Sequence, residues 1–389
     1  MSTHHCRNRK NCIKIVCITV SIVLAVGLCI SYIREKKAVY DEDLDCRQRV
    51  LEQVIKTSST IANRAKEARK ALLSTYDSFY QKLSDGLDVN ILIIGDSIGN
   101  NAGASNASLG WTALVSKHLE DQYGIHVTLT NVSMGGNTSY AGYVRTMALS
   151  DNIDYDLAIL CYGQNDNLEN FGLYYESIIR AVNSKYTKCS IISILESAQR
   201  EYTEKITTIE NIAEYYGIPV ADTIRSFNNG TNGNYSDLTI DGTHPNDLGQ
   251  KIYADIIESI IDNLAESYTD FDHTIYPPMN KDVQQFENFL WMDSSQFVRN
   301  NDTYIYTVNE QISGILGIDY SFLSGENSCM VKIDDQDFAA LEVTSDYDFS
   351  QRHIRMVDNN PVTVTKTIEI CFSTKEQADE FNGCCFSWQ

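Results

Sequence analysis

Between residues 89 and 264, five short apolar runs alternate with amphipathic stretches, and this alternation restricts the fold more than any other feature of the chain. The runs occupy 89–95, 126–132, 156–162, 189–195 and 218–221, with helix-like segments at 111–123, 139–149, 171–185, 202–216 and 247–264. Strand-length runs without a polar face must be covered on both sides. Strands that alternate with helices pair in parallel, each helix serving as the crossover. The expected fold class is α/β: a three-layer α/β/α domain over 88–268 with a five-stranded parallel sheet. Ligands on such sheets bind beyond the carboxyl ends of the strands.

The chain has 389 residues, which leaves room for more than this domain. A hydrophobic fraction of 43% supports an ordinary core. Net charge is −21, which argues against nucleic-acid binding, because that requires a basic face. It also disfavours strongly anionic substrates. Eleven cysteines are scattered without a C-x-x-C pair or regular spacing, so neither a zinc site nor a disulfide framework is readable. Cys161 and Cys189 fall in expected strands and read as small core residues.

Residues 13–33 form a nearly uninterrupted apolar run whose one charge, Lys14, sits at its edge. About 20 such residues span a bilayer as a helix. Arg7, Arg9 and Lys10 precede it and Arg34, Lys36 and Lys37 follow, a slight bias for a cytoplasmic tail over 1–12. A cleaved signal peptide is the competing reading, but the run is long for one and no small-x-small site follows. From 42 to 83 there is no Gly or Pro, and Leu51, Val54, Ser58, Ile61, Ala65, Ala68, Leu72, Tyr76, Phe79 and Leu83 recur at steps of three and four. That is one helical stripe. Residues 41–85 are expected to be either a stalk through which copies associate or a helix folded back on its own domain. The expected location is the cell membrane, with one span and the main domain outside the cytoplasm.

Four blocks follow the expected strands or precede the last helix. They are Gly95-Asp96-Ser97, Gly135-Gly136-Asn137, Gly163-Gln164-Asn165-Asp166 and Asp241-Gly242-Thr243-His244. Each alone reads equally well as a polar turn. In order, they supply a nucleophile in Ser97, oxyanion donors in Gly136 and Asn165, and a general base in His244 oriented by Asp241. His118 lies in a helix-like stretch and His126 opens a strand, so both read as structural; His4 and His5 precede the apolar run.

These blocks resemble those of the SGNH, or GDSL-type, hydrolases over 89–264. The resemblance places the nucleophile at Ser97, whose N–H joins Gly136 and Asn165 in the oxyanion hole, and the rest of the triad at Asp241 and His244. It implies an acyl-enzyme mechanism with neither metal nor cofactor. Ile98 stands where Leu is usual, a conservative change, and Gln164 where Gly is common, which bears on the pocket rim beside Asn165.

After Tyr268 the pattern changes. Pro277-Pro278 marks a boundary, and short alternating runs appear at 303–308, 315–320, 330–333 and 362–370. Strands of this length between Asn, Asp and Gly turns suggest a β-sandwich-like accessory domain over 275–389. An accessory β-domain beside an SGNH domain resembles some carbohydrate esterases, although a module that binds nothing fits as well. The expected function is a serine esterase acting on O-acyl, foremost O-acetyl, groups of a small molecule or glycan. The alternatives are an O-acyltransferase working with a membrane partner, and a non-catalytic stalked surface-binding protein. The four intact blocks count against the last.

Overall fold

The computed structural model describes residues 78–231, 235–267, 276–324, 328–342, 344–345 and 350–389, with Ser31, Arg34 and Lys37 as isolated helical, exposed positions. Residues Tyr76–Gln389 form one unit and Met1–Thr75 another. The expected membrane span at 13–33, apart from Ser31, and most of the expected stalk lie outside the described residues. Among the described residues, no helix is long and apolar enough to cross a membrane.

The sheet strands are β1 (Val89–Gly95), β2 (Val127–Asn131), β3 (Leu157–Cys161), β4 (Ser190–Leu195) and β5 (Val220–Asp222). They pair in parallel throughout, in the order β2-β1-β3-β4-β5. The helices are α1 (Phe79–Ser84), α2 (Trp111–Tyr123), α3 (Ser139–Ala148), α4 (Leu168–Lys185), α5 (Glu204–Tyr216), α6 (Thr223–Thr231) and α7 (Asp247–Ser267).

Successive side chains along each inner strand serve opposite cores, as the two-residue strand period requires. Leu92 and Ile94 of β1, Ala158 and Leu160 of β3, and Ile191 and Leu195 of β4 pack with α3, α4 and α5. Val89, Ile91, Ile93, Leu157, Ile159, Ile192 and Ile194 pack on the other face with α1, α2 and α7. This double burial is why the runs carry no polar face. Each Leu or Ile fully withdrawn from water contributes about 1.5–3 kcal/mol before entropy is counted.

Two boundaries differ from expectation for local reasons. The last run was expected to begin at Ile218, but the Ile218 N–H donates to the Ala213 carbonyl at 2.8 Å behind left-handed Gly217. Ile218 therefore closes α5, and β5 starts at Val220. The helical stripe through Phe79 and Leu83 does not run unbroken from residue 42. Ser78 is extended, and its hydroxyl accepts the Gln81 N–H at 3.1 Å to begin α1 afresh. Phe79, Tyr80 and Leu83 are buried in the core of the α/β half, so the carboxyl end of the expected stalk belongs to the domain itself.

The remaining strands are β6 (Asn288–Asp293), β7 (Val298–Asn300), β8 (Thr303–Thr307), β9 (Ile312–Ser324), β10 (Ser328–Ile333), β11 (Gln336–Glu342), β12 (Thr344–Ser345), β13 (Gln351–Met356), β14 (Val362–Val364), β15 (Thr367–Phe372) and β16 (Phe381–Trp388). One sheet runs β11-β10-β15-β8-β7, the other β12-β9-β16-β6, with β13 and β14 also paired to β9. Both sheets contribute to one core that includes Tyr304, Ile318, Tyr320, Val331, Ile368 and Phe386. The run 362–370 is divided between the two sheets. The Asp334 carboxylate accepts the N–H groups of Thr365, Lys366 and Thr367 at 2.9, 2.7 and 3.0 Å, and so turns the corner between β14 and β15. Ile315, Ile354 and Cys385 join the core under α3, so the β-rich half packs directly on the α/β half.

Tyr253 of α7 holds the exit of β4. Its hydroxyl lies 2.9 Å from the Ser197 N–H and 3.0 Å from Ser197 Oγ, with both residues wholly buried. Tyr253→Phe should destabilise the protein by about 1–3 kcal/mol, the cost of an orphaned buried donor, read from the midpoint of chemical unfolding.

Candidate active site

Ser97 leaves β1 in a tight turn. The Asp96 Oδ1 accepts the Ile98 N–H at 2.9 Å, the Asp96 carbonyl accepts the Asn100 N–H at 3.0 Å, and the indole of Trp111 donates to the Ile98 carbonyl at 2.9 Å. The Ser97 side chain is thereby set at the carboxyl edge of the sheet, partly exposed.

The loop carrying His244 is a small closed structure of its own. Ile240 N–H donates to the His244 carbonyl at 2.9 Å, and Gly242 N–H to Thr239 Oγ1 at 3.0 Å. Gln250 of α7 joins it to the Ser97 turn. Its amide nitrogen donates to the carbonyls of Ala102 and Pro245, each at 3.1 Å, with no exposed surface. The two segments meet so closely that a Cβ on Gly103 would stand 2.3 Å from the Pro245 oxygen. Gly103 also has φ +95°, so only glycine suits this contact.

His244 Nε2 is 2.9 Å from Ser97 Oγ, and His244 Nδ1 is 2.6 Å from Asp241 Oδ2. The other Asp241 oxygen accepts the His244 and Thr243 N–H groups at 2.8 and 2.9 Å. Partial burial pushes the Asp241 carboxyl up, but these donors and the imidazole outweigh it and hold it at about 2. The carboxylate is thus charged at any working pH, and its bond to Nδ1 leaves Nε2 to accept from Ser97. Arg200, in a left-handed conformation, donates to the Gly242 carbonyl at 3.0 Å and lies over the Tyr235 ring.

The loop after β2 places Gly136 in the left-handed region, φ +70°. Among the described residues, neither the Gly136 nor the Ser97 N–H has an acceptor. Asn165 lies beside them, its amide nitrogen 3.1 Å from both Asp96 Oδ2 and the Asn137 carbonyl. Both of its hydrogens are therefore engaged in this state. Asp166 in the same block accepts the Ser139 N–H at 2.9 Å and its hydroxyl at 2.6 Å, so it caps α3.

The β-rich half holds this loop. Gln351 donates to the Gly135 carbonyl at 2.8 Å, Asn137 donates to the Arg352 carbonyl at 2.9 Å, and the Ile354 N–H donates to Asn137 Oδ1 at 3.0 Å. Arg352 in turn pairs through two nitrogens with Asp319 of β9, at 2.8 and 2.6 Å. A cleft of about 470 Å³ runs outward from Gly136 and Asn165, lined by Asn167, Asn170, Tyr174 and, from the β-rich half, His353 and Asn359. Its wall is predominantly polar.

All five residues expected at the site, Ser97, Gly136, Asn165, Asp241 and His244, meet at this edge. The sequence reading missed Gln250, Arg200, Gln351, His353 and Glu196. None lies in a recognisable block, and β13 reaches the site from more than 200 positions away, as in the separation of 216 between Gly135 and Gln351.

Residues 93–252 match the profile of the GDSL-like Lipase/Acylhydrolase family. The matched residues lie within the α/β half, and the protein is an ester hydrolase. Its fold over a greater length is similar to that of a two-domain esterase (CEX) active on acetylated mannans, co-crystallised with mannopentaose. The TM-score is 0.65 at 17% identity, covering 79% of this chain and 93% of the other. A second structure of CEX gives 0.64 at 18% identity with the same coverage. No curated protein matches the chain by sequence.

His353 is 8% exposed and packs over Gly136; burial, then the Arg355 guanidinium, pushes its imidazole down to about 4. An unfolded histidine titrates near 6.5. Below that pH the unfolded chain gains a proton that the folded one refuses, so stability falls from about pH 6.5 until about pH 4 and then levels. The loss at full titration should be about 3 kcal/mol. The slope is read as a difference: the urea midpoint of the wild type should fall relative to that of His353→Gln between about pH 6.5 and pH 4.

Proposed function

We propose that the protein is a serine esterase that removes O-acetyl groups from carbohydrate. The observation that carries this reading is the continuous chain from Ser97 Oγ through His244 to Asp241, at 2.9 and 2.6 Å, beside two N–H groups that have no acceptor among the described residues. His244 takes the Ser97 proton as the alkoxide attacks the ester carbonyl. The negative oxygen is received by the Ser97 and Gly136 N–H groups and the Asn165 amide. The imidazolium then protonates the leaving sugar hydroxyl, and water, deprotonated by the same imidazole, resolves the acyl-enzyme.

The polar cleft beyond Gly136 supports a glycan rather than a long acyl chain as the group that extends from the site. The likeness in fold to an esterase active on acetylated mannans supports the same substrate class. The apolar run at 13–33 and its basic flanks support a single-pass anchor, with this domain outside the cytoplasm, and the helical stripe within 41–85 that precedes α1 supports an association of copies.

With an aryl acetate, Ser97→Ala and His244→Ala should each lower kcat by about 10⁴-fold or more. Asn165→Ala should cost about 10²–10³-fold. Circular dichroism should be unchanged in all three. Undiminished turnover by Ser97→Ala would discard the nucleophile. Acetate release from acetylated mannan or xylan should exceed release of longer acyl chains; the reverse order would discard the substrate class.

A further inference from the structure

The peptide between Gly135 and Gly136 is the middle of a tight turn. The Asn137 N–H donates to the Met134 carbonyl at 3.3 Å, and Gly136 stands at φ +70°, the signature of a type II turn. Type I and type II turns differ chiefly in which way that middle peptide faces. Its carbonyl and N–H point in opposite directions, because the bond is planar and trans. A half-turn of this one unit would put the Gly135 carbonyl oxygen at the site in place of the Gly136 N–H. Glycine on both sides lets the unit take either facing at little steric cost. Something outside the turn has to choose between them.

The choice is made at the carbonyl end. The Gly135 oxygen accepts two side-chain N–H groups, from Gln351 at 2.8 Å and from Asn137 at 2.9 Å. Those two bonds occupy both of its lone pairs. Asn137 is itself fixed by β13, donating to the Arg352 carbonyl and accepting the Ile354 N–H. Gln351 opens the same strand, and its nitrogen lies so close over the turn that a Cβ on Gly136 would stand 2.5 Å from it. A Cβ on Gly135 would stand 3.7 Å from Ser97 Cβ, so the peptide lies beside the nucleophile. We propose that Gln351, together with Asn137, is a positioning residue: its grip on the Gly135 carbonyl locks the peptide in the facing that aims the Gly136 N–H at the oxyanion. Hydrogen bonds in a chain polarise one another, so the same grip makes that N–H a stronger donor. A flipped peptide would set a carbonyl oxygen against the oxygen that becomes charged, and the cost falls on the transition state, not on substrate binding. The β-rich half thus enters the chemical step through β13, beyond shaping the cleft.

This role rests on the reading of Ser97 as nucleophile and Gly136 as oxyanion donor. In the full-length protein, Gln351→Met keeps the length of the side chain and removes its N–H groups. Its kcat on an aryl acetate should fall about tenfold at unchanged KM, less than the loss of a whole oxyanion donor, because the Gly136 N–H still faces the site part of the time. Methylboronic acid supplies a readout without turnover. Joined to a serine hydroxyl it becomes tetrahedral and anionic, with an oxygen where the oxyanion would stand, so its inhibition constant should rise by a similar factor. Gln351→Glu has the shape of glutamine but, when ionised, can only accept, so at neutral pH it should be less active than Gln351→Met. Protonated in acid, it donates to Gly135 again, and its activity relative to the wild type should rise above that of Gln351→Met. His353, which packs on Gly136 from the same strand, and the Arg352–Asp319 pair are common to all three proteins and cancel in comparisons at equal pH. Wild-type kcat in Gln351→Met, an unchanged boronate constant, or a Gln351→Glu profile that rises only to the level of Gln351→Met overturns the proposal. Boronate inhibition that survives Ser97→Ala would instead unseat the nucleophile, so the two failures are distinguishable. Should Gln351→Met not fold, Gln351→Glu decides: return towards wild-type kcat in acid supports the grip, and a constant deficit overturns it.

Discussion

The common direction of the five strands is the constraint on which the rest of the molecule depends. Because every strand of the sheet points the same way, every strand exit lies along one edge. Ser97 leaves β1 there, the Gly136 turn follows β2, Asn165 follows β3 and Glu196 follows β4. The hydrogen bond from Ser97 to His244 joins positions 147 apart, yet it needs only that α7 begin beside the exit of β1. Gln250 secures this by reaching from α7 to one carbonyl on each side. An antiparallel arrangement would send alternate exits to opposite edges and divide these residues between them.

Charge at this edge is arranged in layers. Asp241 is partly exposed and held ionised by three donors, where it can balance an imidazolium. Deeper, Asp96 and Glu196 are wholly buried, and burial pushes both carboxyls up. The groups are chemically alike; the donors around Asp241 and the burial of the other two separate the outcomes. The β-rich half adds His353 against the Gly136 turn, where burial and then the Arg355 guanidinium hold the imidazole down.

Much of this architecture was legible in the sequence, for identifiable reasons. The bounds of β1 at 89–95 and α2 at 111–123 came out as expected, because a wholly apolar strand and a helix ended by Gly124 each carry a local signal. The five site residues were legible because each sits in a short block at a strand exit or helix entry. What was hidden depended on contacts distant in the chain. Ile218 reads as strand by composition and is claimed by the end of α5. The run 362–370 keeps a two-residue period straight through a corner that only Asp334, some thirty positions earlier, enforces. Glu196 follows an apolar strand in a segment of no special composition, and its neighbour Asp96 is brought to it only by the sheet order, with β3 between their strands.

The attachment of Asn137 to the backbone of β13 bears on how such proteins diversify. Both ends of one buried amide are satisfied by the opposite half of the molecule, at Arg352 and Ile354. Recombination at the Pro277-Pro278 junction, exchanging the β-rich half for an unrelated one, would leave the Asn137 oxygen without its donor and its nitrogen with only the Gly135 carbonyl of the same loop. A new substrate preference is therefore reached more readily by change within the existing β-rich half than by grafting a foreign one.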